Sequence, residues 1–309
     1  MPDFRYKFTV FTPCYNSEKF IFRVFDSLMN QTFKNFEWLV INDCSTDNTA
    51  QIIKEYISKA DFDIQFFNLT KNQMLTKNYN LAIKNANGEF FMPLGHDDAL
   101  RSNALQTFLN YWEKIPEADK NHFSGVSCTC IDQNGKLIGD LYPESPYFSD
   151  FFQTVYDLKI KGEKQGFMKT DIMREFPLPE LDVFIPEGLV RHFIGEKYKT
   201  LYIYDSLRIY YINQSHESLC STASKTIKYP KGICFYSLCL LNRYFKRVDK
   251  KYFLKIKTIL KYCRMSVHLK IKLKNSAEEI KSPVYKFAFL MLYPVIILIT
   301  IRDRILRYI

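Results

Sequence analysis

Glycine is scarce, with 10 residues in 309, and none lies between Phe8 and Glu18. Neither GxGxxG nor GxxxxGK followed by Ser or Thr occurs. That removes the dinucleotide-binding fingerprint and the phosphate-cradling P-loop. The eight cysteines, at 14, 44, 128, 130, 220, 234, 239 and 263, form no CxxC pair and no His-Cys cluster with metal spacing. They read as reduced, mostly buried thiols of a cytosolic protein. Met1 to Lys7 has no apolar core of the signal-peptide kind, so export by that route is not expected. The longest uncharged run, Phe287 to Ile301, has 15 residues, fewer than the roughly 20 a spanning helix needs. Internal repeats and low-complexity linkers are absent.

What is present is an uneven charge. The net charge is +10. From Lys225 onward there are 20 Lys and Arg against 4 Asp and Glu; before it there are 23 against 29. An acidic body is joined to a strongly basic tail. A nucleic-acid reader more often carries its base excess on the reading domain. A basic tail with apolar residues between its charges fits an anionic membrane surface instead, and no nucleic-acid partner is expected.

The first hundred residues alternate strand and helix. Phe8 to Thr12 is a β-rich run closed by Pro13. Residues 17–30 have helical spacing, with Phe20, Val24 and Leu28 on one face and Ser17 as N-cap. Phe36 to Ile41 is a nearly unbroken apolar run, as suits a strand buried on both faces. Helix over Asp47 to Ser58, strand over Asp63 to Leu69, helix over Lys77 to Ala86 and strand over Glu89 to Leu94 follow. This order predicts an α/β fold with a mostly parallel sheet flanked by helices. Further on, Ser124 to Asp132 reads as strand, turned by Asn134-Gly135 into a return over Lys136 to Gly139. Residues 147–160 and 187–195 read as helices, Thr200 to Tyr211 as strand, and the chain from about 225 as a helical extension. The expected division is a catalytic domain over 1–224, with a nucleotide-binding half (1–120) and an acceptor half (121–224), then a basic helical region over 225–309.

In such sheets ligands sit outside the carboxyl ends of the strands. Those ends carry Thr12 to Glu18, Asn42 to Thr49, Asn72 leading to Asn80, and Gly95-His96-Asp97-Asp98. Carboxylates and amides without a Gly-rich loop fit a nucleotide whose diphosphate is held through a divalent cation. Asp97 and Asp98 offer the hard oxygens that Mg²⁺ or Mn²⁺ prefers. Asp43 is placed to accept from a base N–H. Singly, each motif has an ordinary explanation: a helix N-cap at Asp97-Asp98, an Asx-type turn at 42–49, a strand end at Pro13. Their order and spacing favour the shared site.

The set resembles the inverting family 2 glycosyltransferases, whose fold is called GT-A. The resembling residues are Thr12-Pro13-x-Tyr15-Asn16-x-Glu18, Ser27-Leu28-x-x-Gln31-Thr32-Phe33 and Phe36 to Asp43 with Ser45, Asp47 and Thr49. Asn72 to Asn80, Ala86-x-Gly88-Glu89 and Asp97-Asp98 complete it, with a weaker likeness in Ile185 to Gly188 and Leu207 to Tyr211. The resemblance covers roughly the first hundred residues. It implies that Thr12, Pro13, Tyr15, Glu18, Asn72 and Asn80 line the donor pocket, with Asp43 on the base. Asp97 would hold the metal and Asp98 would lie beside it. Glu187 would take the proton from the acceptor hydroxyl. The implied reaction moves a sugar from a nucleotide-diphosphate donor, a UDP-sugar, to a glycan or lipid-linked acceptor, with inversion.

Four positions depart from the family pattern. Gly95 stands where an acidic triplet would begin, Met74 where Gly is common, and Gly188 where the acceptor-side Asp would follow Glu187. Tyr79 replaces a common Arg, and Lys77 is the candidate to supply that positive charge. Gly95, Met74 and Gly188 define the rival reading, a non-catalytic nucleotide-binding scaffold in a membrane glycan-assembly complex. A sugar-nucleotide nucleotidyltransferase is disfavoured by the missing Gly-rich loop. Lys281 and Lys286 precede the uncharged run at 287–301, and Arg302, Arg304 and Arg307 follow it. That pattern suggests a helix lying in the membrane interface, with the protein cytoplasmic and peripheral on the inner face; a helix packed on the catalytic domain is the alternative.

Overall fold

The computed structural model describes residues 4–180, 185, 188–212, 229–248 and 251–305. Two compact units are distinguished, one of residues 1–179 with 190–214, the other of 180–189 with 215–309.

The first unit is built on one ten-stranded sheet in the order β3 (Asp63–Asn68), β2 (Phe36–Asn42), β1 (Tyr6–Cys14), β4 (Gly88–Pro93), β9 (Lys164–Lys169), β6 (Phe123–Ile131), β10 (Lys199–Ile209), β5 (Ala99–Leu100), with β7 (Leu137–Ile138) paired to β6 and β8 (Tyr147–Ser149) to β10. Strands β1 (Tyr6–Cys14), β2 (Phe36–Asn42), β3 (Asp63–Asn68) and β4 (Gly88–Pro93) are parallel. Helices α1 (Ile21–Met29), α2 (Thr49–Lys59) and α3 (Met74–Asn85) connect them. The alternation read from the sequence is therefore present, with boundaries displaced by a few residues. All seven residues of β2 are buried, as its apolar run requires. Phe8, Phe90 and Phe167 form the aromatic centre of the core, with ring centroids 4.4 to 5.5 Å apart.

The sheet turns antiparallel at β9 (Lys164–Lys169), which lies between β4 and β6 (Phe123–Ile131). β10 (Lys199–Ile209) then runs parallel to β6, and the two-residue β5 (Ala99–Leu100) pairs with it in antiparallel register. The Asn134-Gly135 turn returns the chain as β7 (Leu137–Ile138). Helix α4 (Ala104–Glu113) buries Leu105, Phe108 and Trp112, and α5 (Thr170–Glu175) follows β9.

Three local readings are corrected. Pro13 does not close β1: the strand continues to Cys14, with Pro13 opposite Ile41. Pairing to β4 has ended by then, at Phe11 opposite Pro93, so the N–H that Pro lacks is not needed there. Ser17 is not the α1 N-cap, because its Oγ accepts from Tyr15 N at 3.1 Å and the helix begins at Ile21. Residues 147–160 are not one helix. Tyr147–Ser149 is strand β8, paired to β10, and helix is confined to residues 151–157.

The second unit contains the helices Pro230–Asn242, Tyr252–His268, Leu273–Glu278 and Pro283–Ile305. The last is longer than the uncharged run suggested. Pro283 suits a helix start, and the 23-residue helix takes in Lys286 and Arg302. Pro283–Arg302 is long and apolar enough to cross a membrane, judged by length and composition.

Candidate active site

The carboxyl ends of β1, β2 and β4 meet around two cross-linked loops. After β1, Asn16 adopts a positive φ of 50°, and its Oδ1 accepts from Thr46 N at 2.9 Å. Glu18 Oε2 accepts from both the backbone N–H and the side-chain amide of Asn48, each at 3.0 Å. Asp47 Oδ2 accepts from Glu18 N at 3.1 Å, and its Oδ1 accepts from Thr49 N at 3.0 Å. Burial pushes the Asp47 carboxyl up, but the Thr49 hydroxyl and these amides hold it below the ordinary range. These hydrogen bonds join the two loops into one rim.

Asp43 lies past β2 and is 4% exposed. Its Oδ1 accepts from Gln73 N at 2.6 Å and its Oδ2 from Met74 N at 2.9 Å. The carboxylate thus caps the start of α3 from the neighbouring strand end. Asn72 closes the same turn, donating to Asp43 O at 3.3 Å and accepting from Met74 N at 3.1 Å. Met74 has a φ of 66°, in the left-handed region that favours Gly, which accounts for the glycine common there in the resembling family. Met74→Gly is expected to raise stability by about 1 kcal/mol. A thermal melt checks this, and an unchanged or lower midpoint contradicts the strain account.

Other predicted donor residues take different places. Thr12 is fully buried, and its Oγ1 accepts from the Trp38 indole at 3.0 Å, so its side chain braces the strand from the core. Pro13 is partly exposed and Tyr15 is 51% exposed on the rim. Lys77 lies within the first turn of α3, partly buried. Asn80 exchanges two hydrogen bonds with the Leu178 backbone, at 2.8 and 3.0 Å. Glu187 lies outside the described residues.

The acidic pair after β4 divides. Asp98 is 1% exposed; its Oδ2 accepts from Arg208 Nε at 3.0 Å and from the Arg208 terminal nitrogen. Its Oδ1 accepts from Tyr211 N at 3.3 Å. Burial raises the Asp98 carboxyl against the pull of Arg208, and Arg208 in turn is held firmly charged by Asp98. Asp97 is partly exposed, and its backbone carbonyl accepts from Arg23 at 3.0 Å. The Arg23 guanidinium lies 3.9 Å from the Tyr211 ring centroid.

Among the described residues, no group of three or more His, Cys, Asp and Glu forms a metal cage. The donor set instead suits an ion that takes one carboxylate and draws its remaining oxygens from phosphates and water, as Mg²⁺ commonly does. Asp97 fits that role better than Asp98, whose oxygens are engaged inward. Arg208, Tyr211 and Arg23 were not among the predicted site residues. Their signals were an arginine inside an apolar β-rich run and an arginine on the apolar helix after β1.

Residues 9–156 match the family model described as "Glycosyl transferase family 2". Over 187 residues the chain is 29% identical to the poly(ribitol-phosphate) beta-N-acetylglucosaminyltransferase TarS of Staphylococcus aureus. That match covers 59% of this chain and 30% of the relative, so only part of the longer protein is represented. Among solved structures, S. aureus TarS 1–349 in complex with UDP-GlcNAc matches with a TM-score of 0.60 at 20% identity, covering 94% of this chain and 86% of that one. The mannosyltransferase PcManGT of Pyrobaculum calidifontis, in complex with GDP-Man and Mn²⁺, matches with a TM-score of 0.53 at 15% identity, covering 94% and 88%. At these identities the structures establish the GT-A fold. The domain at residues 9–156, just under half of the chain, is a glycosyl transferase family 2 domain.

Proposed function

We propose that the protein transfers a sugar from a nucleotide-diphosphate donor to a hydroxyl of a glycan or lipid-linked acceptor, with inversion. The supporting observation is the division of the acidic pair: Asp98 is turned into the protein by Arg208, while Asp97 stands at the crevice end of β4. The donor lies across the ends of β1, β2 and β4, with its base toward the Asp43–Asn72 turn. Asp97 holds a divalent cation, Mg²⁺ or Mn²⁺. When bound, that ion offsets charge on the departing diphosphate. Glu187 removes the proton from the attacking hydroxyl as the acceptor oxygen approaches the anomeric carbon. UDP-GlcNAc is the first donor to test, because it was bound in the TarS crystal.

The test measures nucleoside-diphosphate release from a panel of nucleotide sugars with Mn²⁺, using Asp97→Ala and Glu187→Gln beside the unaltered chain. Release that depends on both residues supports the reading. Nucleotide binding without release from any donor supports the scaffold instead.

The second unit supports peripheral attachment to a membrane. On the helix Pro283–Ile305, Val284, Phe287, Met291 and Leu298 are 64 to 71% exposed and spaced three, four and seven residues apart, on one face. Phe289, Ile296 and Thr300 are buried on the other, and the Phe289 ring packs 5.5 Å from Tyr262 on the helix Tyr252–His268. That neighbour carries Lys255, Lys257 and Lys261. A spanning orientation would draw these charges toward the bilayer core or strip the packing away. A helix lying in the interface keeps both. Replacing Phe287, Met291 and Leu298 together by Ser should weaken flotation with vesicles containing anionic lipid at least about tenfold. Undiminished flotation would contradict the assignment.

A further inference from the structure

Four hydrogen bonds converge on Asp97 and Asp98, the second and third residues after Gly95. Arg208 reaches Asp98 through two nitrogens, and Tyr211 N donates to its other oxygen at 3.3 Å. Immediately beyond, β5 pairs with β10 at Leu100 opposite Arg208, and Arg101 N donates to Leu207 O at 3.0 Å. From the α1 side, Arg23 donates to Asp97 O and stacks on Tyr211. Asp97 is thus held through its backbone carbonyl by Arg23 of α1, and the next residue, Asp98, is held through its side chain by Arg208 of β10 and the backbone of Tyr211 beyond it.

Gly95 belongs to the same arrangement. A Cβ at this position would lie 2.8 Å from Asp98 Oδ2, 3.0 Å from Asp97 Oδ1 and 3.7 Å from the Arg208 terminal nitrogen. Asp98 cannot easily yield, since it is buried and bonded on both oxygens. An acidic side chain at 95 would therefore need space that the pair occupies, and would add a third negative charge beside Asp97 and Asp98.

We propose that Arg208 is a positioning residue: by holding Asp98 inward over the space left by Gly95, it fixes the orientation in which Asp97 presents its carboxylate to the cation. This rests on the proposed function, and it explains the missing first acid as a change of architecture rather than a loss of activity. Arg suits the task because its planar fork meets a carboxylate through two nitrogens and stays charged when buried.

The test follows Mn²⁺ binding to the full chain in the presence of UDP, by the loss of the free-ion signal in electron paramagnetic resonance. Arg208→Gln should weaken binding about 10- to 100-fold, the range seen when a group supporting a metal ligand is removed. Arg208→Lys should recover part of this, restoring the charge but not the fork. Gly95→Ala keeps both Arg208 and Asp98 in the sequence and should also weaken binding, by displacing the Asp97 and Asp98 carboxylates. It decides the matter if Arg208→Gln does not fold. Folded Arg208→Gln and Gly95→Ala proteins that bind Mn²⁺ like the unaltered chain would overturn the proposal and leave the proposed function standing. An unaltered chain that binds UDP but no Mn²⁺ would overturn both this inference and the metal role of Asp97.

Discussion

Asp97→Ala is expected to lower sugar transfer about a thousandfold, because a bound cation contributes several kcal/mol of transition-state charge stabilisation. Folding should be little affected. Asp97 is partly exposed, and the carbonyl that accepts from Arg23 is backbone, which the substitution keeps. The neighbouring residue provides the contrast. Asp98→Ala removes the partner of a largely buried guanidinium, 14% exposed, so its first effect should be on stability. Kinetics of nucleoside-diphosphate release, beside thermal melts of both variants, separate the two. Equal losses of turnover and stability at both positions would contradict the division of roles.

The largest effect on stability is expected at Glu37. This carboxylate is 1% exposed inside β2, yet it is fully engaged. Its Oε1 accepts from the Thr9 hydroxyl at 2.6 Å and from Asn87 N at 2.7 Å. Its Oε2 accepts from Gln65 Nε2 at 2.7 Å and Asn87 Nδ2 at 3.1 Å. Thr9 Oγ1 in turn accepts from Gly88 N at 2.8 Å. One side chain therefore ties together β1, β2, β3 and the start of β4, at the end of the strands away from the donor. Glu37→Ala strands several buried donors and should cost about 3–5 kcal/mol. In a domain of this size that lowers the thermal midpoint by roughly 10 °C. Glu37→Gln should cost less, because the Gln65 and Asn87 amides can turn to offer oxygens. A Glu37→Ala midpoint within a degree of the unaltered chain would contradict this.

Glu37 also shows where the sequence stops being readable. The apolar run around it predicts a buried strand, and β2 is one. Nothing local says that a carboxylate in that run is satisfied by residues 28 and 50 positions away. The alternation over the first hundred residues was legible because each strand and helix carries its own period. β9 was not, because Lys164–Lys169 has a lysine at each end and one glycine, and it becomes a strand only through its neighbours β4 and β6. The site divides in the same way. The sequence places Asp97, Asp98 and Asp43 at strand ends. It does not reveal that Asp43 caps α3, or that Asp98 pairs with a residue 110 positions on. Gly95 looked like a defect in a motif until the space beside it was seen to hold that pair.

The central claim is that a nucleotide-diphosphate sugar binds at the strand ends through a cation held by Asp97. The most direct measurement is manganese anomalous scattering from crystals grown with UDP-GlcNAc and Mn²⁺. The account predicts one peak bonded to the Asp97 carboxylate and to diphosphate oxygens, with Asp98 still on Arg208. Bound nucleotide with no manganese at Asp97, or with Asp98 released from Arg208 to hold the ion, would contradict it.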